Sequence, residues 1–280
     1  MEHLDNVNKE STQNTQNKEV TPPTKKSYEF DKLQLYFAEP YIIQNKDEDG
    51  NVTSEIKILQ PTIGDIVSLG ETMFYNTLYI FILNTTSYRL QLWDMGIDWN
   101  KISDYELFCM LLKGVNYEVS KTIFGDINFS DFELYTKTLK DGSQVMTLYN
   151  QEENIEIDED TYTHIAQYLR TVFNIFPKVE KTKGKTTKEW LIEEEREKLH
   201  SQKDNNSKSM MLPLVSTYLN HPGTKYKKSE LREVGIFEFM DSIQRIQIYE
   251  STVALTHGMY SGMISTKDID KEAFNFMREK

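Results

Sequence analysis

Gly184-Lys185-Thr186 has the ending of a phosphate-binding loop, the nearest approach to nucleotide chemistry in the chain. Such a loop needs a second glycine five positions earlier, so that backbone amides can wrap the phosphates. Val179 stands there, and no apolar strand leads in. The segment reads instead as a solvated basic linker. The five histidines, His3, His164, His200, His221 and His257, have no His, Cys or carboxylate partner at ligand spacing. Each reads as a surface residue, with His164 on the solvent side of its helix. Asp158-Glu159-Asp160 and Glu193-Glu194-Glu195 could supply acid–base pairs, but a helix start and a charged helix face explain them better. Asp47-Glu48-Asp49 lacks the calcium-loop pattern. There is no Gly-x-Ser-x-Gly elbow and no Cys/His pair. Cys109, the single cysteine, sits among Leu107, Phe108, Met110 and Leu111, where a small buried apolar residue is expected. The chain is therefore read as a non-enzyme that needs no cofactor and no metal.

Two features remain that could bind rather than react. Lys178–Lys188 and Lys225-Tyr226-Lys227-Lys228 are locally basic, and the second could stack a base on its tyrosine. Both belong to a chain of net charge -12, which repels nucleic acid and anionic membranes at long range, so a nucleic-acid role is disfavoured. The other feature is apolar. Phe239, Ile243, Ile246 and Tyr249, continued by Val253, recur at helical spacing. One packed helix is the ordinary reading of that stripe. A partner-facing helix is the alternative, and these four residues are the candidate protein-binding surface.

The elements that must position these residues fall into four stretches. Residues 1–27 are almost wholly polar and read as a disordered tail. They hold the apolar share of the 280 residues down to 38%, whereas the remainder carries all 16 Tyr and 14 Phe, enough for a sizeable core. Residues 28–176 read as an α+β domain. Strand-like stretches at Leu33–Phe37 and Tyr41–Ile43 precede a strand at Ile56–Leu59, with Asp49-Gly50 at the turn. Thr62 should cap a helix carrying Ile66, Leu69, Met73 and Leu78, and Ser103 with Glu106 forms a capping box for another. A second hairpin spans Phe132–Tyr149 around Lys140–Ser143, Ile155 and Ile157 extend it, and Asp158 caps an amphipathic helix ended by Pro177. Residues 177–208 read as a charged linker with an exposed helix at 189–200. Residues 209–280 read as a helical subdomain with helices over Met210–Leu219 and Phe237–Thr256. The predicted fold class is thus α+β, two β-hairpins packed against helices and then a mainly helical C-terminal part. No targeting segment or membrane span is visible, which makes the cytoplasm the default compartment.

Three segments carry a resemblance: LQPTIGDIVSLGETMFY at 59–75, YRLQLWDMGIDWNKISDYELF at 88–108 and LNHPGTKYKKSELREVGIFEFMDSIQRIQIYES at 219–251. In these the chain resembles tail assembly chaperone-like proteins encoded in the tail-gene clusters of phages, or prophages, of low-GC Gram-positive bacteria. The resemblance implies a protein of the host cytoplasm that coats the phage tape-measure protein and keeps its helices soluble until the tail tube polymerises. The acidic, aromatic-rich composition without an evident site is compatible with that role and equally with a minor structural protein of the virion, in the tail or neck. The resemblance implies other phage proteins as partners, leaves homo-oligomerisation open, and assigns no functional residues.

Overall fold

The computed structural model of the chain describes residues 26–46, 49–202, 208–265, 267 and 269–279. Apart from Lys26 and Ser27, the expected polar tail lies outside the described residues, as do Asp47 and Glu48 of the first turn. The architecture is α+β, as the sequence predicts. A two-stranded antiparallel hairpin pairs β1 (Tyr41–Lys46) with β2 (Val52–Ile58), Ile43 opposite Ile56. A three-stranded antiparallel sheet runs in the order β3 (Glu133–Thr138), β4 (Gln144–Asn150), β5 (Ile155–Ile157). Helix α1 (Lys32–Tyr36) precedes the first hairpin, and the helices up to α6 (Tyr117–Phe124) lie between the two sheets in the sequence. Between those ends lie α2 (Ile63–Leu69), α3 (Glu71–Ile82), α4 (Arg89–Asp94) and α5 (Asp104–Leu111). After the second sheet come α7 (Glu159–Phe173), α8 (Lys185–Gln202), α9 (Met211–Asn220) and α10 (Ile236–Tyr260).

Local chemistry sets most boundaries. Thr62 accepts from Asp65 N at 3.1 Å while Asp65 accepts from Thr62 N at 2.8 Å, a complete capping box at α2. Ser103 and Glu106 form the same reciprocal pair at α5, and Asp158 caps α7 by accepting from Thr161 N at 2.8 Å. Three expectations are corrected. Leu33, Leu35 and Phe37 form no strand. Asp31 accepts from Leu33 N at 2.8 Å and coils the segment into one helical turn that buries Leu35 and leaves Leu33 and Phe37 outside. The helix after Thr62 is two helices, because Gly70 takes φ +88° between them, a conformation that L side chains rarely adopt. Finally, α7 stops at Asn174, in the left-handed region at φ 54°, three residues before Pro177.

One core unites the chain on both sides of residues 177–208. Ile43, Ile58, Phe74, Leu78, Phe81, Phe108 and Leu169 from the α+β part share it with Tyr218, Ile236, Phe239 and Ile243. The two parts are also bonded through the backbone. Ile63 N donates to Val234 O at 3.0 Å and Ile236 N donates to Pro61 O at 3.1 Å. The segment 177–208 is therefore an excursion from a continuous core. Its helix starts at Lys185, earlier than expected, and is not free in solvent: Ile192 is buried in a small separate cluster with Leu90, Leu92, Trp99 and Leu107.

The approach of the 231–236 segment to α2 explains a glycine. A Cβ on Gly64 would stand 2.8 Å from the backbone oxygen of Arg232, which no side-chain adjustment relieves. Gly64→Ala is expected to lower unfolding stability by ~2 kcal/mol, within the range for overpacking. The denaturant midpoint measures this, with the slope unchanged.

Candidate functional site

The predicted binding stripe on α10 does not lie on one surface. Phe239 is fully buried, edge-on to Tyr218 with centroids 5.7 Å apart, and Ile243 is buried beside it in the main core. Ile246 packs half-buried against that core. Tyr249 alone is exposed, with its ring edge-on to Phe276. Phe239 and Ile243 are therefore holding the helix down and are not available to a partner. Their periodicity marked the packed face, the ordinary meaning of such a stripe.

Most of the described acidic candidates are bonded within the fold. A depression of about 940 Å³ lies between the two hairpins and the starts of α5 and α7. Three of its carboxylates are bonded within the fold. Glu106 accepts from Ser103 N, and Asp158 caps α7. Glu156 accepts from Lys137 Nζ at 2.5 Å and from the Tyr135 hydroxyl at 2.7 Å. Partial burial works against the Glu156 charge, but the Lys137 and Tyr135 hydrogen bonds outweigh it and hold the carboxyl below its ordinary range. Burial pushes the Cys109 thiol up, which leaves it a poor nucleophile.

The basic stretches are likewise tied down. Lys178 O accepts from Asn84 Nδ2 and Thr182 O from Asn100 Nδ2, both at 2.8 Å. The hydroxyl of Tyr226, expected to be able to stack a base, donates to Glu238 at 2.6 Å, and its ring packs on the core. Among the described residues no group of His, Cys, Asp and Glu could hold a metal ion. None of the described helices is long and apolar enough to cross a membrane.

What is left open is apolar. A groove of about 550 Å³ runs between α1, the end of α7 and the start of α10. Leu33, Tyr36, Val172, Phe176, Phe237 and Met240 line it, and Leu33 and Phe176 are each 66% exposed. Charges of both signs rim it: Lys32 pairs with Glu279 at 3.2 Å on one side, and Asp241 and Arg245 stand on the other. The C-terminal segment forms part of the wall. The Arg278 guanidinium donates to Ala273 O and Thr252 Oγ1, both at 2.8 Å, and Arg245 donates to Arg278 O at 2.9 Å. Sequence reading missed this groove because its residues come from four separate stretches, and only the fold brings them together. Phe176, an aromatic beyond the left-handed end of α7, was the one local signal.

His164 is also corrected. It faces inward, with Tyr28 stacked on its ring at 3.7 Å and the Tyr41 hydroxyl 2.7 Å from Nε2. Tyr28 N donates to Gln167 at 2.9 Å, so this helix face anchors the start of the described chain. No protein-family model, curated protein or solved structure matches the chain.

Burial lowers the affinity of the His164 imidazole for a proton, and the opposing pull of Asp160 is weaker. The unfolded chain takes up this proton near the ordinary pKa of about 6.5, before the folded chain does. The contribution is thus complete above that value and is lost as pH falls towards the lower folded pKa. His164→Gln should flatten the stability–pH profile below about pH 6.5, measured by denaturant titration at each pH.

Proposed function

We propose that this protein is a tail assembly chaperone that binds the phage tape-measure protein and keeps it soluble during tail morphogenesis. On this reading it works by holding another protein, not by catalysis. The observation that carries the binding part is the open groove between α1, α7 and α10, whose apolar lining stands beside a rim of mixed charge. An amphipathic helix fits such a surface: an apolar stripe enters the groove, and flanking lysines and glutamates meet Glu279, Asp241, Lys32 and Arg245. The assignment to tail assembly rests on the resemblance of residues 59–75, 88–108 and 219–251. The last of these segments supplies Phe237 and Met240 to the groove. The net charge of -12 suits a client with basic helices and keeps the complex soluble. The working compartment is then the host cytoplasm, and the protein is absent from the finished particle. A minor structural role in the virion is the competing outcome, in which the protein is stoichiometric in purified particles by mass spectrometry.

Co-expression with the tape-measure protein of the same genome tests the reading. The wild-type chain should bring that protein into the soluble fraction and co-purify with it. Leu33→Asp and Phe176→Asp each remove an exposed apolar contact worth ~1.5 kcal/mol or more, so each should weaken capture about tenfold or more while thermal unfolding is unchanged. Capture that is insensitive to both substitutions rules out the groove. A tape-measure protein that stays insoluble rules out the chaperone.

A further inference from the structure

The outer edge of β3 is open. The bond from Leu139 N to Ser143 O at the hairpin turn fixes the alternation of the strand. Backbone groups of Glu133, Tyr135 and Lys137 therefore point to β4, and those of Leu134, Thr136 and Thr138 point outward. These last three residues are exposed, and among the described residues no backbone hydrogen bond reaches them from outside the sheet. Leu134 is 51% exposed, and Met146, diagonal to it on the same face of the sheet, is 40% exposed. The opposite edge is closed. There β5 has three residues, and Asn45 Nδ2 of the first hairpin donates to Glu156 O at 2.5 Å.

Sheet edges are commonly protected by a proline, by a bulge or by a lysine reaching out over the edge. β3 has none of these. It contains no proline, and its register with β4 runs unbroken from Glu133 opposite Tyr149 to Thr138 opposite Gln144. In the first hairpin, by contrast, the register shifts between Asn45 and Lys46. The Lys137 ammonium is drawn across the sheet onto Glu156 of β5 at 2.5 Å, away from the open edge.

The strand is also complementary to itself. A two-fold axis at Tyr135 sets Leu134 of each copy opposite Thr136 of the other, both outward-bonding residues. The same axis sets Glu133 opposite Lys137 at both ends of the pairing. An axis at Thr136 would set Glu133 against Leu139 and lose both charge pairs. An axis at Leu134 would set Lys137 against Asp131, which belongs to the helical turn Phe129–Asp131 and not to the strand. An ammonium has three donors, so Lys137 can keep Glu156 and still meet Glu133 of a second copy.

We propose that β3 is a homodimer contact: two copies of this chain pair through it, antiparallel about Tyr135, and their three-stranded sheets become one continuous sheet. Main-chain hydrogen bonds hold the pair, the two Glu133–Lys137 contacts set its register, and the exposed Leu134–Met146 patches come side by side. The contact uses none of α1, α7 and α10, so it does not depend on what the groove binds.

Sedimentation velocity of the full chain should show monomer passing to dimer between about 1 µM and about 100 µM. Thr136→Pro removes an outward N–H at an edge position, where proline is tolerated, so circular dichroism should be unchanged while dimerisation weakens at least about tenfold. Tyr135→Cys brings two thiols together across the two-fold axis. In an oxidising glutathione buffer that variant should form a disulfide between chains, and the unaltered chain, whose one cysteine is the half-buried Cys109, should not. A chain that stays monomeric at about 100 µM overturns the proposal, including the case in which the edge takes a strand of another protein. So does a dimer whose Tyr135→Cys variant does not cross-link, or one that is as tight in a folded Thr136→Pro chain as in the unaltered chain. Should Thr136→Pro not fold, sedimentation of the unaltered chain and the cross-link decide.

Discussion

Seven of the fifteen residues of α7 are buried, and they point to more than one side of the helix: Tyr162, Ile165, Ala166, Tyr168, Leu169, Val172 and Phe173. A helix with that much apolar circumference is unstable unless neighbours close over it, and elements from both parts of the chain do so. It packs against α3, α5 and α10 and against strands of both sheets. Burying one such side chain contributes ~1.5–3 kcal/mol, so this helix orders the elements around it more than their own propensities do. The two small sheets would be marginal alone. They are held because Tyr41 stacks on Tyr168 at 4.4 Å and because Tyr105 bonds the second sheet to α5. The Tyr105 hydroxyl donates to Ile157 O at 2.6 Å and accepts from Leu148 N at 3.1 Å.

The charges are arranged differently from what the overall balance suggests. A net charge of -12 describes the far field, which sets solubility and the sign of a preferred partner. Close at hand, acids and bases are paired where burial makes pairing necessary. Arg89, Lys188 and Glu156 are each largely or partly withdrawn from water and each bonded to a counter-charge. Exposed pairs such as Lys32 with Glu279 contribute little to stability, but they shape the rims of the surfaces on which they stand.

Two surfaces of opposite physical character follow. The groove beside α7 is apolar and open, and it offers the hydrophobic contact that a helix-holding protein needs. The face beneath α8 is closed by a helix of this same chain, through one isoleucine and a set of ion pairs.

The sequence by itself determined the local punctuation. The caps Thr62, Ser103 and Asp158, the turn at Lys140–Ser143, the second hairpin and α10 could all be read because each rests on contacts between residues a few positions apart. The α+β class followed from those elements. What only the tertiary structure decided were the meanings of the faces. Whether Leu33 and Phe37 belong to a strand depended on Leu35 entering the main core, which keeps the segment coiled behind the Asp31 cap. Whether His164 faces water depended on Tyr28 and Tyr41, which are distant in sequence. Phe239 and Ile243 kept the period of a binding stripe because packed and docking faces share it, and only the core beneath them tells the two apart. The α1–α7–α10 groove left only one local sign, the aromatic Phe176 beyond the end of α7. It exists where four segments meet, and solvent exposure, the property that makes it a surface, belongs to the folded arrangement and to no local pattern.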